Sequence, residues 1–215
     1  MVVLAIETSG KVCGAGVSVD GVLIASTEII RDASHDAHIA DVVTSALRFA
    51  DLTIQDVNVI AVSAGPGSFT GLRIGASFVK GLAFEGSPQI LPVPTLTSLH
   101  CAAREVAMLA GAASITSVIP SHRDLWYVQQ YPCSTPVHEQ QVRVCSSDEV
   151  RAMITQDTFV VGPGAEQFTP TAVSGLTRLS ARFIAFASWE LLRANVPFVD
   201  ADSFVPLYQQ DFVPR

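Results

Sequence analysis

Residues 2–29 read VVLAIETSGKVCGAGVSVDGVLIASTEI. Three apolar or β-branched runs stand in it, Val2 to Ile6, Val12 to Val19 and Val22 to Ile29, and Asp20-Gly21 separates the last two. Asp-Gly between apolar runs is the strongest short hairpin signal, because both turn residues tolerate positive φ. The chain is therefore predicted to begin as an antiparallel three-stranded meander.

Beyond the meander the period changes. Ile39, Val42, Val43, Ala46, Leu47 and Ala50 recur at the three-and-four spacing of a helical face. Val57 to Ala64 reads as a buried strand, broken by Gly65-Pro66-Gly67. From about Thr70 to Phe84 a second helix carries Leu72, Ala76, Val79 and Ala83 on one stripe, and Gln89 to Val93 is a short strand between prolines. A third helix is expected over Leu96 to Leu109. Three strands followed by helix, strand, helix, strand, helix is an α/β order with an antiparallel edge on a partly parallel sheet. It is the order of an actin-like (ribonuclease-H-like, ASKHA) lobe, and the expected fold is two-lobed with mixed sheets.

The remainder is predicted to form a smaller, less regular lobe. Ser114 to Ile119, Leu125 to Tyr131, Val137 to Val144 and Phe159 to Gly162 have strand character. Ser146 and Glu149 form a capping box for a short helix through Ile154, and Ser180 caps a longer one bearing Phe183, Ile184, Ala187, Leu191 and Leu192 on one face. The expected division is a first lobe over 1–100, a diverged second lobe over 101–199 and an extended tail over 200–215.

Composition narrows the function. With 215 residues, 49% of them hydrophobic, the chain supports a core without disulfide or metal staples. Charged residues make up 15%, well below the usual value of about 25%, so disorder through self-repulsion is excluded and much of the surface is neutral. A net charge of -7 argues against a face that grips nucleic acid unaided. Cys13, Cys101, Cys133 and Cys145 are far apart and form no zinc-like spacing, which reads as buried thiols in a reducing compartment. With no basic leader and no long uninterrupted apolar stretch, a cytoplasmic location away from membranes is expected.

The most unusual stretch is Ser63-Ala64-Gly65-Pro66-Gly67-Ser68-Phe69-Thr70-Gly71-Leu72-Arg73-Ile74-Gly75, a glycine-rich turn feeding a helix N-terminus. Such a place favours anions, yet Gly71-Leu72-Arg73 replaces the Gly-Lys-Ser/Thr ending of a phosphate loop. Gly67, Gly71 and Gly75 stand four apart and leave one helical stripe without side chains. Each helical glycine costs about 1 kcal/mol relative to alanine, so the repetition needs a packing reason. A close-packed neighbour supplies it, and spacing leaves open whether that neighbour is this chain or another subunit.

The N-terminal LAIETSG, the SAGPGSFTGLRIGASFVKGLAF segment, PVPTLTSL and the closing PLY resemble the bacterial TsaB family, also called YeaZ. The resemblance is strong over residues 1 to about 100. It implies an actin-like protein that takes part in making threonylcarbamoyladenosine in tRNA, as a non-catalytic partner of a TsaD-like catalytic subunit, with a TsaE-like ATPase in the assembly. It also implies homodimers through first-lobe helices, tRNA contact through the complex alone, and no cofactor of its own apart from nucleotide at a partner boundary. Read this way, Gly65, Pro66, Gly67, Ser68, Phe69, Thr70, Gly71, Arg73 and Gly75 form the partner interface. The second lobe departs from the family: relatives start a strand with an Asp-Ala-Arg-Arg-Gly-Glu-Val-Tyr-like run, where this chain has Pro120-Ser121-His122-Arg123-Asp124-Leu125-Trp126-Tyr127.

Enzymatic readings are weighed against this one. Actin-like ATPases and sugar kinases grip phosphate with a hairpin from each lobe, and Glu7, Thr8 and Ser9 lie where the first hairpin would stand, as a vestigial nucleotide contact. The second half shows no matching hairpin, so an ATP-dependent phosphotransferase or ATPase is the alternative, and a homodimeric regulatory module a further one. A peptidase reading fares worse. His35-Asp36-Ala37-His38 has no glutamate base and no evident third metal ligand, and reads as a solvent-exposed helix start. Ser63 and Ser68 have no G-x-S-x-G context, and Phe69 reads either as a buried plug for the first lobe or as an interfacial anchor.

Overall fold

In a computed structural model the described residues are 1–31, 35–84, 88–136 and 141–207. β1 (Val2–Glu7), β2 (Val12–Val19) and β3 (Val22–Ile30) form the expected antiparallel meander. Asp20 and Gly21 take φ of 49° and 87°, the left-handed geometry that a tight turn between twisted strands requires. β4 (Val59–Gly65) and β5 (Gln89–Pro94) add in parallel, giving a five-stranded sheet of order β3-β2-β1-β4-β5.

β1 is central and covered on both faces, which explains why it is apolar without interruption. Leu4 and Ile6 face α1 (His35–Phe49) and α2 (Phe69–Leu82), whereas Val3 and Ala5 face α5 (Ala181–Arg193). Leu4, Ile6 and Val3 each contribute about 1.5–3 kcal/mol on burial, and Ala5 less. α3 (Thr95–Leu109) leads into a four-stranded sheet of order β8-β7-β6-β9. Its strands are β6 (Ser114–Pro120), β7 (Leu125–Pro132), β8 (Arg143–Ser146) and β9 (Thr158–Val161), with β9 parallel to β6 and the other pairs antiparallel. Leu96, Leu99, Ala103 and Ala107 of α3 cover one face with Ile115 and Ile119, while Trp126 and Val150 of α4 (Ser147–Met153) lie in a cluster on the other.

Three expectations need revision. The strand expected over Val137 to Val144 is β8, Arg143–Ser146; residues 137–140 lie outside the described ones. The tail, expected as a separate extended segment, is docked on the first lobe up to Leu207: Val199 bridges Ile90, Phe204 is 3% exposed, and the Leu207 amide donates to the Ala64 carbonyl at 2.7 Å. Residues 208–215 are outside the described part. The division at residue 100 is not respected in space either, since α5 and the segment 199–207 pack on the first sheet. Chain order assigns them late, but their apolar faces are buried where the first sheet still has a bare side.

Candidate functional site

The glycine turn owes its shape to contacts within the chain. Gly65 ends β4 with φ of 106° and a cis bond to Pro66, and a Cβ on it would meet the Leu207 carbonyl. Ser68 caps α2, its hydroxyl accepting from the Gly71 amide at 3.2 Å. Its own amide donates to the Ser9 carbonyl at 2.7 Å. A Cβ on Gly67 would collide with the Ser9 carbonyl, one on Gly71 with the Thr8 carbonyl, and one on Gly75 with Thr8 Oγ1. The bare stripe is thus filled by the Thr8-Ser9 turn of this same polypeptide. This corrects the expectation that the stripe itself is the open meeting surface: Gly65, Pro66, Gly71 and Gly75 are buried and face inward.

The opposite side of α2 is the accessible one. Ser68, Phe69, Thr70 and Arg73 point outward, and Phe69, read from sequence as either a core plug or an interfacial anchor, is 45% exposed and so is not a core plug. The Arg73 guanidinium lies over its ring at 5.2 Å from the centroid, joining an apolar plate to a cation. A groove of about 570 Å³ runs beside them, bounded by Asp36 and Ile39 of α1 and by Ile74 and Phe78 of α2.

Glu7, Thr8 and Ser9 are almost wholly buried. Glu7 Oε1 accepts from the Ser9 amide at 2.5 Å and from the Ser9 hydroxyl at 2.6 Å, while the Thr8 amide donates to Ser63 Oγ at 3.2 Å. Glu7 Oε2 and Thr8 Oγ1 are buried without a hydrogen-bond partner. Burial pushes the Glu7 carboxyl up to about 7, against the opposing pull of hydrogen bonds from Ser9 and Ser63. Glu7 and Glu28 both pair with Gly14 in register, one on either side. Glu28 is a residue that sequence reasoning missed. Its Oε1 accepts from Ser180 Oγ at 2.6 Å and from the Ala181 amide at 2.8 Å, fixing the start of α5. An isolated acidic residue on a strand carries no local signal of a helix arriving 152 positions later.

A cleft of about 950 Å³ separates the lobes. Ser9, Lys11 and Thr70 line it from the first lobe, and Ser121, His122 and Arg178 from the second. Of the three residues assigned to a vestigial nucleotide contact, Ser9 reaches this wall; Glu7 and Thr8 are sealed behind it. Among the described residues that line it, Asp36 is the one carboxylate. His35 is buried rather than solvent-exposed, its Nε2 at 3.1 Å from the Val12 carbonyl. His100 is also buried, and burial with the nearby Arg104 charge lowers it to about 4. His138 lies outside the described residues. Among the described residues no group of three or more His, Cys, Asp or Glu is placed to hold a metal ion. Cys13, Cys133 and Cys145 are buried thiols and Cys101 is half-buried.

This fold and site can be set beside known proteins. The family model for TsaD, tRNA N6-adenosine threonylcarbamoyltransferase, matches residues 28–118. The TsaB protein of Haemophilus influenzae is 27% identical over 192 residues, 81% of this chain and 78% of that protein. TsaB of Bacillus subtilis is 30% identical over 142 residues, 66% of this chain and 60% of its own length. The solved structure of YeaZ from Pseudomonas aeruginosa superposes with a TM-score of 0.74 at 25% identity, covering 96% of this chain and 99% of that one.

Over most of its length the chain is similar to the TsaB (YeaZ) proteins. Its two mixed sheets share the fold of that YeaZ structure. The TsaD match runs from the end of β3 through α1, β4, α2, β5 and α3 to β6, so it includes α2 with its glycine stripe and its exposed side but not the Thr8-Ser9 turn that fills the stripe. No helix among the described residues is long and apolar enough to cross a membrane.

Proposed function

We propose that this chain is a non-catalytic scaffold subunit in the threonylcarbamoyladenosine modification of tRNA, docking a TsaD-like catalytic subunit through the exposed side of α2 and the adjoining part of α1. The observation that carries this reading is the two-sidedness of α2. Its glycine side is locked to the Thr8-Ser9 turn after β1, while Phe69, Thr70 and Arg73 stand outward beside a groove. A partly exposed aromatic paired with an arginine is the residue chemistry of interface anchors. The partner supplies the transfer chemistry, and a TsaE-like ATPase joins the assembly. With a net charge of -7, the chain reaches tRNA through the complex rather than by its own surface, and it works in the cytoplasm.

Reconstitution with TsaD-like, TsaC-like and TsaE-like proteins tests this. Phe69→Asp and Arg73→Glu are expected to leave the melting temperature within a few degrees and to weaken association at least tenfold, the scale of an interface anchor. Modified nucleoside falls with association. Full product when this chain is omitted counts against the reading. Should the same variants abolish self-association instead and leave the heterocomplex intact, the face belongs to a homodimer.

A second reading, an ATP-dependent phosphotransferase or ATPase, draws on the interlobe cleft with Lys11 and Arg178 on its walls. Calorimetric titration with Mg-ATP and a turnover assay on the single chain decide it. Turnover by this chain alone favours the enzyme.

A further inference from the structure

The clasp beneath α2 is built on one acid. Glu7 ends β1 with no exposed surface; its Oε1 holds the Ser9 amide and hydroxyl, and its Oε2 meets no hydrogen-bond partner. Ser9 passes the constraint on, because its carbonyl receives the Ser68 amide and Ser68 is the N-cap of α2. At Gly67 and Gly71 no side chain cushions the joint, so helix and turn meet backbone to backbone.

Among the described residues no positive charge acts on Glu7. Ser63 of β4 donates hydrogen-bond support, and Thr95 of α3 bonds Ser9 rather than the carboxyl. The titratable groups that act on it are Glu28 of β3 and the Cys13 thiol of β2, the latter itself driven up to about 11 by burial and by Glu7. The donors at the start of α5, Ser180 Oγ and the Ala181 amide, are taken by Glu28.

We propose that Glu7 is a positioning residue that latches the N-terminus of α2 through its proton: neutral, it holds the Thr8-Ser9 turn beneath the helix, and ionised, it releases that turn toward water. A buried charge on the unpartnered Oε2 costs far more than a buried O–H there, so opening the joint relieves the ionised acid much more than the neutral one. The sign follows from linkage. Glu7 keeps its proton up to about 7 when closed, against an ordinary 4.5 when solvated, so the opened state sheds the proton first. Opening therefore grows as pH rises from about 5 and levels off above about 7, by roughly some tens of fold in all. Its consequence for partner binding rests on the function proposed above: the docking side of α2 loosens as pH rises.

Amide hydrogen exchange on the full chain tests the latch without any partner. The readout is protection of the segment 63–75 between pH 5 and pH 8, corrected for the intrinsic exchange rate. Wild type is expected to lose protection by tens of fold and then level off, while Glu7→Gln, equal in shape but unable to ionise, gives a flat profile. Glu28→Gln keeps Glu7 and removes its negative neighbour, so its levelling point moves to lower pH. A flat wild-type profile, or one that Glu7→Gln reproduces, overturns the proposal. If Glu7→Gln does not fold, the wild-type and Glu28→Gln profiles decide alone. Affinity for the TsaD-like subunit, measured at the same pH values, separates the two ideas: pH-dependent exchange without any docking sinks the scaffold reading and leaves the latch standing.

Discussion

Gly71 and Gly81 sit on the same helix and differ in what surrounds them. A Cβ at Gly71 meets the Thr8 carbonyl, whereas one at Gly81 meets nothing within 4 Å. Alanine is the better helix former by about 1 kcal/mol, so local propensity alone predicts that both Gly→Ala changes stabilise. Packing reverses the sign at one of them. Gly71→Ala is expected to lose about 2 kcal/mol, the cost of forcing a turn out of a filled contact, and Gly81→Ala to gain about 0.5–1 kcal/mol in urea denaturation. Equal shifts at the two positions would mean that the clasp contributes nothing to stability. A leucine at Gly71 or Gly75 is a still larger intrusion, so it is not a neutral probe of docking. The spacing of Gly67, Gly71 and Gly75 makes a close backbone neighbour legible, because helical geometry puts them on one face. What approaches that face is not legible, since spacing carries no address.

α5 shows the same division one level up. Its N-cap Ser180 and its apolar face are readable from sequence, and its Trp189 indole donates to Ser18 Oγ of β2 at 2.9 Å. Its destination was not readable: an apolar stripe fits the second sheet as well as the first, and only the bare side of β1 and β4 settles the matter. Glu28 then fastens the helix start to β3. Ser180→Ala is expected to cost about 1 kcal/mol, as for an ordinary cap, and Glu28→Ala a similar amount. Because Ser180 Oγ and Glu28 share one hydrogen bond, the double variant should cost less than the two single losses added together, which a double-mutant cycle on thermal or urea midpoints measures. Simple addition would show that the long-range partner is energetically idle.

Across the chain as a body, the closing segment acts as a strap. Val199 pairs with Ile90 at the sheet edge, Phe204 enters the first core, and Leu207 reaches the end of β4 beside the glycine turn. Phe204→Ala is expected to lose about 3 kcal/mol, the usual cost of emptying a buried aromatic site, with unfolding still cooperative. A separate early transition at residues near the terminus would instead mark the strap as an independent unit. The sparse charge noted in the composition, 15% of residues, fits a molecule whose first lobe is covered on one side by α5 and offers Phe69 and Arg73 on the other.

Local chemistry in the sequence determined the strands, the helices, their caps and the tight Asp20-Gly21 turn, because each depends on residues a few positions apart. It also determined that something presses against the glycines of α2. Tertiary structure alone decided that the pressing group is Thr8-Ser9, that Phe69 faces outward, that Glu7 is sealed from the cleft, and that α5 and the strap return to the first lobe. The reason is physical: burial and close contact are properties of pairs of surfaces, and a sequence names each surface without naming the one it will meet.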